Sequence, residues 1–320
     1  MIKDFKKISD LISKSGKILI LLHQYPDGDT IASSLALREF LVQKDKSVLL
    51  AVKGDIPEVF QFLPGVDEIV GDFLLGDFDL IFAIDCGDAK RTGFPDRLSS
   101  VCKIKPLINI DHHCKNDLHK IARINLIDER SAAAAEIVWD MLNFLKAKIT
   151  PRIATYILSA IYFDTGGFQH SNLTEKTLQV ASSCLSHGGR IALVSSSINN
   201  AKSTCALRLW GVALSRIKIG RNKIAISYLT NSDIENSGAK AEDASGIVNL
   251  MNNIPSAKVA ILFVEGDDGT IKASLRTESS SVDVAKLARL FGGGGHKKAS
   301  GFSLDGEMAD LFKRRFANKK

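Results

Sequence analysis

Cysteine is scarce and poorly placed for a scaffold. The 320-residue chain has five, at Cys86, Cys102, Cys114, Cys184 and Cys205, an odd number with no two close in sequence. No CxxC spacing occurs, so a disulfide framework and a thiolate zinc site are both disfavoured, and reduced thiols are expected. No apolar run reaches the ~18–20 residues needed to cross a bilayer, and the first residues lack a signal-peptide cleavage pattern. The expectation is a soluble cytoplasmic protein with no membrane partner. Aromatic residues are only 7% of the chain and are not interleaved with basic ones, which argues against a long stacking groove for single-stranded polymers. The formal charge is only +6, and the terminal KRRFANKK supplies much of the excess. Such a charge permits an anionic partner without requiring one. There is no internal repeat and no long low-complexity stretch.

What is present suits two globular domains. Hydrophobic residues are 45% and charged residues 24%, enough apolar material for two cores at ~150 residues each. In the first half, KILILLH (17–23), SVLLAV (47–52), DLIFAID (79–85) and PLINID (106–111) read as short buried strands. They alternate with helical patterns: DTIASSLALREFLVQK, with Ile31, Leu35, Leu37 and Leu41 at helical spacing, then SAAAAEIVWDMLNFL and RIATYILSAIYFD. Strand–helix alternation predicts a mostly parallel sheet flanked by helices. The stretch 186–204 is rich in Ser, Gly and Asn and reads as a linker, in part helical. KIAISYL, AKVAILFVEG and TIKASLR then restart a strand pattern, followed by a helix over 281–292. The expected fold is α/β: a larger parallel-sheet domain over 1–185, a linker over 186–204, and a smaller mixed α/β sheet domain over 205–320. A cleft is expected between them, able to close on a ligand.

Polar residues fall where three of these strands end. His23 closes the first, with Asp27 and Asp29 in the following HQYPDGD loop; Asp85 closes DLIFAID; Asp111 closes PLINID and is followed by His112 and His113. Asp164 ends an apolar segment before TGGF, where glycines permit a tight turn. Ligands of open α/β sheets gather beyond the carboxyl ends of strands. Any one such Asp is an ordinary loop residue. As a set, carboxylates converging with no cation in the same loops repel one another unless an ion neutralises them. Mixed His and Asp donors suit Mn²⁺, Fe²⁺, Co²⁺ or Zn²⁺ better than Ca²⁺. Cys114 is not needed to complete the set. The donors exceed one ion's needs and would serve two ions ~3.5–4 Å apart, bridged by a carboxylate, a centre that activates water against a phosphoryl group. The expected cofactor is two divalent ions, Mn²⁺ first, with Mg²⁺ or Co²⁺ as alternatives.

HQYPDGDTIASSLAL, AIDCGD, IDHH and YFDTGGF, in that order, resemble the four motifs of the DHH phosphoesterase superfamily, and IKASLRT with FGGGGHKKASGF resembles its DHH-associated substrate domain. The match spans nearly the whole chain and points to the bacterial oligoribonuclease (nanoRNase) and pAp-phosphatase subfamily. The resemblance implies that His23 and Asp27 hold one ion, that Asp29, His112 and Asp164 hold the other, and that Asp85 bridges them. Asp111 would stand behind the ligands and orient an imidazole, and His113 would face the phosphate; a purely structural histidine is the alternative. Asp85, Asp111, His112 and His113 are thus the expected catalytic group. Ala32 departs mildly from the family's usual glycine near that position.

By the same resemblance Arg276, Gly294, Gly295 and His296 would grip the far end of the substrate. The glycine run reads as an anion nest, with a flexible turn as the alternative, and Lys298 as solvated. Arg91, in DCGDAKRTG, is a candidate phosphate contact; an ordinary surface arginine is the alternative. The expected substrates are short RNA and 3′-phosphoadenosine 5′-phosphate (pAp). Cyclic-di-AMP or pApA hydrolysis is the second enzyme reading, and a nucleic-acid-binding protein with a structural metal is the non-enzyme reading. The resemblance also makes a homodimer plausible.

Overall fold

The computed structural model describes residues 1–114, 117–199, 203–266 and 269–306; the basic C-terminal stretch lies outside the described residues. The chain divides into two compact units, Met1–Ala201 and Lys202–Lys320.

The first unit holds a five-stranded parallel sheet, β1 (Lys17–Leu22), β2 (Ser47–Ala51), β3 (Leu80–Ile84), β4 (Leu107–Asp111) and β5 (Ile124–Ile127), in the order β2-β1-β3-β4-β5. The continuous apolar runs follow from burial on both faces. On one face Ile18, Ile20 and Leu22 of β1 pack into the main core; on the other Leu19 and Leu21 join Ala83, Leu98 and Leu107. The helices are α1 (Ile2–Lys14), α2 (Gly28–Val42), α3 (Pro95–Val101), α4 (Leu118–Ile121), α5 (Ala134–Phe144), α6 (Pro151–Asp164), α7 (Glu175–Ser186) and α8 (Ile191–Asn199). Helix α2 is buried almost throughout, including Ile31, Leu35, Leu37 and Leu41. The chain leaves β1 through α2 towards β2, then returns to the other side of β1 for β3, so the order of strands reverses between β1 and β3. Beyond the carboxyl ends of strands at such a reversal is where α/β sheets bind ligands.

The stretch expected as a linker carries α8. Val194 is fully buried, and Tyr162 Oη lies 2.9 Å from Ser195 Oγ, holding α8 on α6. The Ser-rich composition tolerates a helix because one apolar face packs while hydroxyls bond back to the chain, as Ser196 Oγ does to Leu193 O at 3.0 Å.

The second unit holds a six-stranded mixed sheet: β6 (Lys218–Ile219), β7 (Ile224–Leu229), β8 (Val259–Glu265), β9 (Thr270–Arg276), β10 (Gly294–Gly295) and β11 (Ala299–Asp305), ordered β10-β11-β9-β8-β7-β6. Only β7 and β8 pair in parallel. Helices α9 (Thr204–Ser215), α10 (Asn231–Ser237), α11 (Ile247–Asn252) and α12 (Val284–Arg289) accompany it. Helix α12 is shorter than the pattern over 281–292. Asp283 caps its start, accepting from Lys286 N at 3.1 Å, and Gly292 at φ +76° lies just beyond its end.

Candidate metal centre and substrate groups

The reversal between β1 and β3 gathers the expected polar residues. Asp27 caps α2, its Oδ1 accepting from Asp29 N and Thr30 N at 3.1 Å each. A Cβ on Gly28 would stand 2.5 Å from the Phe163 ring, so glycine there lets the start of α2 lie against the end of α6, which carries Asp164. Thr30 Oγ1 donates to Ile84 O at 2.8 Å, pinning the same turn to the end of β3. Asp85 follows with φ +55°, a left-handed backbone that a non-glycine residue adopts at a cost; Ile110 O receives its N–H at 2.8 Å. After Asp164, Gly166, Gly167 and Phe168 all have positive φ, the tight turn expected of TGGF.

Three groups of side chains have donor atoms within 4.8 Å of one another: His23, Asp27 and Asp85; Asp29, His112 and Asp164; and Asp85, His112 and His113. Asp85 stands between the first two. Its Oδ2 lies 3.9 Å from His23 Nε2, and its Oδ1 lies 3.5 Å from His112 Nε2. His23 Nε2 is also 3.6 Å from Asp27 Oδ2. His112 Nε2 is 3.3 Å from Asp164 Oδ2 and 4.0 Å from Asp29 Oδ2. The other nitrogen of each imidazole meets a carbonyl: His23 Nδ1 meets Gln24 O at 2.9 Å, and His112 Nδ1 meets Ser131 O at 3.2 Å. Both Nε2 atoms are thereby aimed at carboxylates, in the arrangement that carbonyl-anchored metal ligands adopt.

Asp111 orients a different imidazole from the one a metal would take. Its Oδ1 meets His113 Nδ1 at 2.8 Å and His113 N at 2.9 Å, while Oδ2 accepts from Gly87 N at 2.7 Å. Burial opposes protonation of His113, but the carboxylates of Asp111 and Asp85 outweigh it and raise the imidazole to about 10.

The electrostatics fit a cation. His23 Nε2 is buried with no hydrogen-bond partner, and Asp85 Oδ1, equally buried, has only the 3.1 Å ion-pair contact with His113 Nδ1 and the longer one with His112, an arrangement that costs stability unless something else binds them. Burial, then the Asp85 charge, pushes the Asp29 carboxyl up to about 7. Burial, then Asp29 and its neighbours, pushes Asp164 well above the carboxylate range. Carboxylates that resist ionisation in one another's company are what a cation would relieve. Cys114 is exposed and belongs to none of the three groups. Arg91 is exposed, with its guanidinium over Gly87, where a Cβ would stand 2.9 Å from Nη1, and its charge helps hold Asp27 below its usual range against burial and beside the stronger pull of His23.

In the second unit Arg276 ends β9. Its Nε donates to Asn249 Oδ1 and its Nη1 to Leu275 O, both at 2.9 Å. No carboxylate among the described residues pairs with it. Arg276 pairs with Ala299, and Gly295 pairs with Ser300, so the arginine and the glycine hairpin share one end of three adjacent strands. Three N–H groups of the run are already engaged within the chain. Gly292 N and Gly293 N bond to Arg289 O and Ala288 O, and His296 N closes the hairpin on Ala299 O at 2.7 Å. Nor is Lys298 simply solvated, since its ammonium donates to Glu278 O at 2.6 Å.

Sequence reasoning missed the groups that hold the cluster from behind: Ser33 Oγ, Ser131 O and the N–H groups of Ala134 and Ala135. Three of these four contacts are main-chain, and main-chain contacts carry no residue-type signal.

Family models match in the same order. The N-terminal domain of the DHH family covers residues 17–161, and the DHHA1 domain covers residues 221–319. The bifunctional oligoribonuclease and PAP phosphatase NrnA of Thermus thermophilus is 30% identical over 292 residues, 91% of this chain and 85% of that protein. Its Bacillus subtilis namesake is 26% identical over 310 residues, 94% of this chain and 95% of that one. An exopolyphosphatase-related protein from Bacteroides fragilis has a crystal structure that superimposes with a TM-score of 0.89 at 28% identity, covering 97% of this chain and 94% of the other. A parallel-sheet unit that gathers Asp and His side chains at its strand reversal, a second mixed-sheet unit, and relatives alike over nearly their whole length place this chain in the DHH phosphoesterase family, with a DHHA1 domain as its second part.

Proposed function

We propose that this protein is a metal-dependent phosphohydrolase that degrades short oligoribonucleotides to mononucleotides and removes phosphate from pAp. One observation carries the reading: the Asp85 carboxylate faces two separate Asp/His groups, one with each oxygen, on a chain similar throughout to the NrnA oligoribonuclease and PAP phosphatases. Two divalent cations, Mn²⁺ first, would supply Lewis-acid stabilisation of a phosphoryl oxygen and an acidified water. His23, Asp27 and Asp85 would hold one; Asp29, His112, Asp164 and Asp85 would hold the other. His113, raised to about 10 in the metal-free protein by the Asp111 and Asp85 carboxylates against its burial, would offer a donor where phosphoryl charge develops. Asp111 holds that ring in place. Arg91 would meet a phosphate near Asp27.

Arg276, with Gly294, Gly295 and His296, would bind a second anionic group of the substrate. An arginine without a carboxylate partner suits a phosphate. We further infer that the protein acts as a homodimer.

The test incubates the purified protein with Mn²⁺ and, side by side, a labelled two-to-five-nucleotide RNA ladder, pAp and cyclic-di-AMP, with Asp85→Ala as control. Fast loss of the short RNA and pAp that the control lacks is the expected result. Preference for cyclic-di-AMP would move the function to second-messenger turnover. Binding of RNA without turnover of any substrate at saturating Mn²⁺ would return it to the non-enzyme reading.

A further inference from the structure

The two halves of the cluster are held in different ways. His23 and Asp27 are oriented from within their own loop, by Gln24 O at 2.9 Å and by the N–H groups of Asp29 and Thr30 at 3.1 Å. Asp29 and His112 take their distant partners from one turn that leads into α5, and Asp29 also accepts from Ser33 Oγ at 2.8 Å within α2. Ser131 O holds His112 Nδ1 at 3.2 Å. Ala134 N and Ala135 N donate to the Asp29 carboxylate at 2.5 and 3.1 Å. Asp164 is tied to the same turn: the side-chain amide of Asn172 donates both to Ala132 O, at 3.2 Å, and to Asp164 O, at 3.1 Å.

The turn has its own anchor. Ala132 N donates to Glu136 Oε1 at 3.2 Å, and the same oxygen accepts from Thr177 Oγ1 at 2.7 Å, fastening the turn to the start of α7. Glu136 is fully buried, and its Oε2 has no hydrogen-bond partner. Lys176 Nζ is 4.0 Å from that oxygen and only 2.7 Å from Asp140 Oδ2. Burying a carboxylate on these terms costs stability, and packing alone would favour an apolar residue. What the carboxylate does hold is the turn that presents Ser131 O, Ala134 N and Ala135 N.

We propose that Glu136 and Asn172 form a hydrogen-bonded bracket that positions the Asp29–His112–Asp164 half of the cluster, so that breaking the bracket weakens one cation of the pair and spares the other. Both are positioning residues; neither is among the expected ligands. The proposal rests on the two-cation reading above.

Charge and hydrogen bonding can be separated at Glu136. Both bonds to Oε1 come from donors, so Glu136→Gln keeps an acceptor for each, and its amide replaces the oxygen that has no partner. Glu136→Ala removes both bonds. Asn172 is exposed, so Asn172→Ala breaks the other arm without opening the core.

The experiment titrates Mn²⁺ by calorimetry into the chelator-stripped full-length protein and its three variants, with circular dichroism as the folding control. Wild type is expected to bind two ions. Glu136→Ala and Asn172→Ala are expected to weaken one of the two about 10- to 100-fold, the range for losing a group that orients a ligand, with the other unchanged. Glu136→Gln is expected to bind like wild type. Equal weakening of both ions, no weakening in Asn172→Ala, or a Glu136→Gln as weak as Glu136→Ala would each overturn the bracket while leaving the two-cation reading intact. A wild type that binds no pair would overturn both.

Discussion

As letters, the Asp/His cluster of the parallel-sheet unit and the glycine run of the mixed-sheet unit are equally conspicuous, but the fold explains them to different degrees. In the run, packing accounts for most of the glycine. Gly292 has φ +76°, Gly295 has φ +129°, and a Cβ on Gly293 would overlap the Gly301 carbonyl and Phe302. Gly294 alone has no neighbour within 4 Å of an added Cβ and no positive φ. In the cluster the reverse holds. No packing argument accounts for the buried His23 Nε2 without a hydrogen-bond partner, or for carboxylates pushed upward by one another. A residue that the fold already explains says little about a ligand, and one that works against the fold says much.

The largest effect should come from the cluster. Asp85→Ala should lower kcat at least about 10³-fold, several kcal/mol of lost metal-ion catalysis, and reduce Mn²⁺ stoichiometry; near-normal turnover would erase the contrast. Arg276→Ala should come next. Losing a charge-assisted hydrogen bond of ~1.5–3 kcal/mol should raise KM roughly 10- to 100-fold with Mn²⁺ affinity unchanged, in steady-state and calorimetric measurements. The glycines then test the contrast within the run itself. Gly293→Ala should cost about 1–3 kcal/mol of stability through overpacking. Gly294→Ala should leave stability within about 0.5 kcal/mol and raise KM severalfold; denaturant melts and kinetics on both variants read this directly.

The last effect needs no substitution. The Asp29 carboxyl rises from an ordinary 3.8 to about 7 in the folded, metal-free protein. Between those values the folded state holds a proton that the unfolded state has lost. Its contribution is therefore fully present below about pH 4 and is lost as pH climbs through about 7. Chelator-treated protein should lose stability over that window relative to Mn²⁺-loaded protein. The gap in Tm should widen with pH by about 2–4 °C for each kcal/mol involved. A gap independent of pH would mean that Asp29 is already ionised without metal.

Four of the five strands of the parallel sheet, and its donors, were legible because they are written in side chains: unbroken apolar runs, three of them ending at Asp or His; the short β5 was not read. Helix α1 was not read as one, since Lys and Asp alternate with its apolar residues, yet Phe5, Ile8 and Ile12 pack into the core. The stretch 186–204 was expected as a linker, in part helical; its serines, loop-like in composition, gave no sign that α8 packs on α6. The role of Asp111 was half legible. A carboxylate beside two histidines was expected to orient one of them, but the choice of His113 depends on a turn of backbone. Glu136 and Asn172 left no trace, because their partners, the Thr177 hydroxyl apart, are amides and carbonyls common to every residue.

All the donors but Asp164, which ends α6, hang from β1, β3 and β4, adjacent strands with no hydrogen-bonded contact until β1 pairs with β3 and β3 with β4. The first of those pairings joins residues more than sixty positions apart, Ile18 with Leu80 for example. The coordinating pocket therefore does not exist in a partly folded chain, and ions have nothing to hold until the central sheet has closed. Bound metal should consequently act on one kinetic limb only: it should slow unfolding while leaving the rate of refolding almost untouched.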